Sequence, residues 1–312
     1  MMTVSARVLA ILSLGVVLAC ARERAPDTDS TAAATASALP VPTEGFKTPE
    51  SVRYDPALDA YFVSNIDGVP NNKDNNGFIA RMDAANPTTV TVVVQGGQNG
   101  AELHAPKGMA IVGDTLWVAD IDVLRAFDKN SGATLATIPV PGATFLNDVA
   151  LGPDGAVYIT DTGIRFSDTG EMSHPGRDRI FVVRNASASI AFEGDAMLSR
   201  PNGIAWDAAN SRFALAPFGG PLVSSWKPGE TTVTTIASGP GGYDGIEVLA
   251  DGRIIVSSWA DSSLSIIDNG QLTRLSGGLE APADIGIDTR RNRIAVPRFT
   301  AGRVDYVALP PR

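Results

Sequence analysis

Six times along this chain a short motif returns, while the residue at its second position changes among Glu, Lys, Asn, Asp and Ala. The copies read PESVRYD, PKGMAIV, LNDVALGPDG, PNGIAWD, YDGIEVLADG and PADIGID. They place Glu50, Lys107, Asn147, Asn202, Asp244 and Ala283 at one shared slot. After each copy come a turn and a second apolar segment: YFVSN, TLWVAD, AVYITD, RFALAP, RIIVSS and RIAVP. A unit of roughly 40–50 residues made of short strands must stack on its neighbours to bury its faces, and four-stranded units of this length are propeller blades. The expected fold is therefore all-β, a six-bladed β-propeller of four-stranded up-and-down blades over residues 45–312.

The local signals agree. Pro153-Asp154-Gly155 and Ala250-Asp251-Gly252 mark hairpin turns between first and second strands, and residues 55–59 form a longer version. Third strands are expected over 77–82, 123–128, 179–184, 263–268 and 303–309, and fourth strands over 88–94, 134–139 and 232–237. No amphipathic helical stretch of useful length interrupts them. The same strands arranged as two sandwich domains are the alternative, because strands alone do not fix topology.

Up-and-down blades have a geometric consequence. If the shared slot begins the innermost strand, all six copies ring one mouth of the central channel, and the segments after the second strands lie beside that ring. Two of these segments are long, 67–76 and 163–178, and long loops over one mouth suggest a pocket or its cover. A solvated insertion is the plainer reading of either loop.

Four of the six slots carry oxygen donors. Glu50, Asn147, Asn202 and Asp244 together bring two carboxylates and two amides, whose charge balances a divalent cation. An all-oxygen set favours Ca²⁺, with Mg²⁺, Mn²⁺ or Zn²⁺ also admissible. Four protein ligands leave coordination positions open for water and a small-molecule substrate. Each residue alone is ordinary turn chemistry; their recurrence at one slot is what points to a metal. Lys107 occupies a fifth slot, where it either faces the pocket or stands by. Near a cation it would need an anion beside it, and Asp120 or Asp148 could supply one. Asn65, Asp120 and Asp161 end second strands near the same mouth and are candidates to line the pocket or orient ligands; capping the strand turns is the alternative. Trp259 also follows a second strand and is a pocket candidate, whereas Trp206 and Trp226 read as packing between blades. His174 lies in the long third-blade loop, either over the site or merely exposed.

Composition removes other functions. With a net charge of -9 the chain has no electrostatic footprint for nucleic acid. Its one cysteine, Cys20, excludes disulfides and zinc-thiolate sites from the rest of the chain, and two histidines are too few for a histidine metal cluster. Residues 1–19 form a signal segment: Arg7, then an apolar run too short to span a bilayer, ending Val17-Leu18-Ala19-Cys20. This matches a bacterial lipobox, in which Cys20 is lipidated. Residues 20–44, rich in Ala, Ser, Thr, Asp and Pro, are then a flexible tether. The expectation is a monomeric lipoprotein on the periplasmic side of the cell envelope, touching the membrane only through Cys20. Ala21 rather than an aspartate favours the outer membrane if the cell is Gram-negative.

The segments PESV, LNDVALGPDG, RPNGIAWD and YDGIEVLADG also resemble the gluconolactonase family that includes regucalcin (senescence marker protein), over about residues 45–310. That resemblance implies a six-bladed propeller holding one divalent ion through Glu50, Asn147, Asn202 and Asp244. It further implies hydrolysis of sugar lactones and other cyclic esters, with Asp244 as general base. A metal-bound carboxylate is a poor base unless its surroundings reshape its pKa. The chain departs from the family at Phe145, where sugar lactonases carry a substrate-binding Arg two residues before the first Asn. That exchange argues against a gluconate-like substrate. The competing class is a non-catalytic propeller that binds a ligand or partner at the envelope.

Overall fold

The structure, a computed structural model, describes residues 39–167 and 169–312; the signal segment, Cys20 and the first part of the tether lie outside the described residues. Six four-stranded antiparallel sheets follow one another. The first blade runs Pro49–Asp55, Ala60–Asn65, Phe78–Asp83 and Thr91–Gln95. The second runs Pro106–Val112, Thr115–Asp120, Val123–Asp128 and Thr134–Pro139. The third, fourth and fifth begin at Leu146–Leu151, Pro201–Asp207 and Tyr243–Val248. The sixth is built from Gly286–Asp288, Arg293–Arg298 and Arg303–Ala308. The all-β propeller expected from the repeat is the observed fold; the single helix described is the four-residue turn Asp195–Leu198. Among the described residues no helix is long and apolar enough to cross a membrane.

The sixth blade takes its outer strand from the other end of the chain. Thr43–Glu44 pairs antiparallel with Arg303–Ala308, matching Thr43 to Val304 and Glu44 to Arg303. The blade sheets therefore start at Thr43, two residues inside the stretch expected to be tether. Pairing across the chain ends closes the ring and covers a strand edge that would otherwise stay open. On the inner side, Val52 N–H donates to the Asp284 carbonyl at 3.1 Å and Asp284 N–H to the Glu50 carbonyl at 2.8 Å, joining blade six to blade one.

Among the described residues an apolar cluster fills each of the six blade–blade interfaces, and a small seventh, Ile66, Ala105 and Ile121, lies beside Phe299. The cluster between blades three and four holds Tyr158, Ile204, Phe213 and Trp226, with Trp206 packed against it. The cluster between six and one holds Val52, Tyr61, Ala295 and Tyr306. Strands buried on both faces by this stacking read as the nearly continuous apolar runs seen in the second strands.

A β-bulge opens every first strand from blade one to blade five. Pairing slips between Pro49 and Ser51, Pro106 and Met109, Leu146 and Val149, Pro201 and Gly203, and Tyr243 and Ile246. The shared slot lies inside each slip. A bulge frees one residue from the pleat and re-aims its side chain, which is how five different side chains reach the same cavity. The adjoining inner strands pack so closely that a Cβ at Gly203 would collide with the Asp244 carbonyl oxygen.

Candidate metal and substrate site

Glu50, Lys107, Asn147, Asn202 and Asp244 line one cavity of about 280 Å³ at the propeller axis. All five are buried, between 1% and 6% exposed. Three of their oxygens have no hydrogen-bond partner: Glu50 Oε2, Asn147 Oδ1 and Asp244 Oδ1. Buried polar atoms are almost always paired, so three orphans from three blades on one cavity floor call for a ligand. The chemistry of the set fits a hard divalent cation. Among the described residues no group of three or more His, Cys, Asp or Glu side chains is placed to hold a metal; two of the four donors here are amides.

The electrostatics point the same way. Burial, then the neighbouring Asp244 and Asp284 carboxylates, push Glu50 well above the ordinary carboxylate range, while Lys107 pulls it back. Asp244 is likewise pushed well up by burial, then by Asp284 and Asp148; the Trp259 indole and the Asn202 amide beside it lower it in part. Carboxylates buried together in this way favour a shared proton or a cation between them. Asn147 Nδ2 donates to Thr162 Oγ1 at 3.0 Å, and Thr162 Oγ1 donates to the Pro201 carbonyl at 2.8 Å. That relay fixes the amide with its oxygen toward the cavity.

Lys107 lies in the pocket. Its Nζ donates to the Ala105 carbonyl at 3.0 Å and sits 4.2 Å from the centroid of the Phe145 ring. Burial pushes its pKa down to about 8, opposed first by Glu50 and then by Asp120. Asp148 does not serve Lys107: it is bound to Arg53 Nη2 at 3.0 Å, and Asp284 to the same nitrogen at 2.8 Å. Arg53 also donates to the Met109 and Ile285 carbonyls, so this ion cluster ties inner strands together.

Three expected pocket residues are absent from the cavity lining. Asp161 accepts from the Thr144, Phe145 and Gly163 amides, and Asp120 from His104, Ala105 and Arg125. Asn65 accepts from Lys47 N–H and donates to the Val63 carbonyl. All three are strand-end caps whose hydrogen-bonding capacity is taken up by the backbone or a neighbouring guanidinium. His174 binds Asp178 at 2.7 Å and does not line the cavity either.

Phe145 and Trp259 do line it, joined by residues not singled out from the sequence: Ile66, Phe218, Phe299, Ile164, Phe166 and Met172. The legible signal was a second register. The residue immediately after each second strand is Ile66, Ile121, Thr162, Phe218, Trp259 or Phe299, and all but Ile121 face the cavity. The long loops are its walls. Pro70 comes from the first, and a small hairpin, Arg165–Phe166 with Met172–Ser173, comes from the second. Phe166 N–H donates to Asn71 Oδ1 at 2.7 Å, tying the two loops together.

No protein-family model matches the chain, and no curated protein matches it by sequence. Solved structures do match in fold. The calcium-binding protein regucalcin of Agrobacterium tumefaciens strain C58 superposes with a TM-score of 0.63 at 16% identity, covering 87% of this chain and 94% of that one. A chain of a nidogen/laminin complex superposes at 0.56 with 15% identity, covering 73% and 79%. The class defined by these observations is a six-bladed β-propeller, similar in fold to that regucalcin, with a buried axial cavity of polar floor and apolar wall.

Proposed function

We propose that this propeller is a divalent-metal-dependent hydrolase of a lactone or related cyclic ester. The observation that carries the reading is the floor of three unpartnered oxygens, Glu50 Oε2, Asn147 Oδ1 and Asp244 Oδ1, inside a cavity of small-ligand size. The fold likeness to a protein described as calcium-binding supports the choice of ion. Glu50, Asn147, Asn202 and Asp244 would hold it. Bound there, a divalent cation supplies Lewis acidity toward an acyl oxygen and lowers the pKa of water.

The chain's own groups do the rest. Asp244, whose carboxylate burial and neighbouring carboxylates push well above the ordinary range, would accept the proton of the attacking water. Lys107 has spent one donor on Ala105 and keeps its charge for the oxygen that becomes negative as the ester is attacked. Thr162 holds the Asn147 amide in place. The lipobox at Cys20 adds the cell envelope as the proposed place of work.

The test incubates the purified protein with Ca²⁺, Mn²⁺ or Zn²⁺ and a lactone panel, beside Asp244→Ala. Metal-dependent turnover that disappears in the variant is expected. Metal bound with no turnover on any cyclic ester would instead leave a ligand-binding propeller.

A further inference from the structure

The cavity is divided by chemistry into two levels. The shared-slot side chains delivered by the bulged inner strands form its polar floor. Above them stands the second ring, formed by the residues that follow the second strands. Five of its six positions are apolar: Ile66, Ile121, Phe218, Trp259 and Phe299. Ile121 does not face the cavity but packs with Ile66, against Phe299. The rings interlock, Phe218 edge-on to Trp259 at 5.7 Å and Trp259 tilted on Phe299 at 5.2 Å. Across the cavity Phe145 and Phe166 meet at 5.9 Å. The one donor in this wall, Trp259 Nε1, lies beside Asp244 at the floor.

We propose that the site selects a lactone or ester whose substituent is hydrophobic, with the ester group on the polar floor and the substituent in the aromatic vestibule. The inference rests on the hydrolase reading for the ester and on the wall for the substituent. A polyhydroxylated substrate would find one unpartnered donor in this wall, Trp259 Nε1; its other hydroxyls would lie against rings that offer no partner, and each would cost affinity. The hairpin carrying Phe166 and Met172 is the specificity element, because it closes the vestibule from the rim, where Met172 is 42% exposed.

Calorimetry with a series of γ-lactams, which are not readily hydrolysed, tests this on the Ca²⁺-loaded and metal-free protein. The ring substituent runs from hydrogen through ethyl and butyl to hexyl, and a polyhydroxylated lactam serves as the contrast. Affinity should rise about fourfold per methylene until the vestibule is full. Phe166→Ser should remove about tenfold of that gain, Phe166→Leu should keep most of it, and Met172→Ser at the exposed rim should lower it without threatening the fold. A flat series, or tighter binding of the polyhydroxylated lactam, overturns the proposal. Turnover of the corresponding lactones is read separately. A steep series with no turnover keeps the hydrophobic selectivity and removes the hydrolase reading; turnover favouring a hydroxylated lactone does the opposite.

Discussion

Glu50→Gln examines the axial site with the smallest change available, since it keeps the side chain's shape and removes one of two charges. In the metal-free protein Glu50 is buried against Asp244, with Asp284 and Asp148 also raising its pKa and Lys107 the one opposing pull. Loss of that charge relieves more repulsion than attraction. The metal-free variant should therefore match the parent within about 1 kcal/mol or exceed it. Metal changes the sign. An ion that binds only the folded state adds RT ln(1 + [L]/Kd), about 2.7 kcal/mol at a hundredfold excess over Kd. Unfolding entropy near 2.1 cal/mol/K per residue gives about 0.57 kcal/mol/K for a domain of about 270 residues. The parent should therefore melt about 5 °C higher in calcium than in chelator. Scanning calorimetry of both proteins in both conditions reads all four values. Glu50→Gln should lose most of the shift. A variant that keeps the full shift, or one that melts well below the parent in chelator, would refute the axial cation site and the repulsion argument respectively.

Three further outcomes can be checked on the same material. Asp161→Ala strands the Thr144, Phe145 and Gly163 amides and should cost about 3 kcal/mol in urea melts with metal content unchanged; loss of bound metal would return Asp161 to the site. Arg53→Met leaves Asp148 and Asp284 buried without their partner and should cost about 3–5 kcal/mol, so a loss below about 1 kcal/mol would contradict the ion cluster's role. Burial pushes Glu247 up from 4.5 to about 7, with Arg53 opposing and Asp284 adding. Its folded pKa lies above its unfolded one, so its contribution is full below about 4.5 and is lost as pH rises through about 7. That loss has an upper bound of about 3–4 kcal/mol, and Glu247→Gln should flatten it in pH-dependent melts.

The fold was legible because the repeat is a statement about stacking. Each apolar second strand, such as RFALAP, is buried on both faces between neighbouring blades, and residues 213–217 are buried throughout. The sixth blade's outer strand was illegible for the opposite reason: Thr43–Glu44 is two residues long and has no period to read. Among the candidate site residues, those in the first register arrived together at the axis. Asn65, Asp120 and Asp161 did not, because a short carboxylate or amide at a strand end is captured by the nearest backbone amides before it can reach a ligand.

The bulges explain why one slot was visible while its direction was not. In a regular strand the residue after the slot would point to the opposite face. Here the slip lets Asn147 enter the cavity while Asp148, next in the chain, turns to Arg53. Adjacent polar residues thus do unrelated work, one at the floor and one in the frame that holds the floor together. The apolar wall comes from a different register again, one residue past the second strand. Floor oxygens and apolar wall therefore come from separate positions of the repeat in blades one, four and five: Glu50 and Ile66, Asn202 and Phe218, Asp244 and Trp259. Substitutions at Phe218 or Phe299 should alter which substituent fits while leaving the oxygens of Glu50, Asn147 and Asp244 where they are.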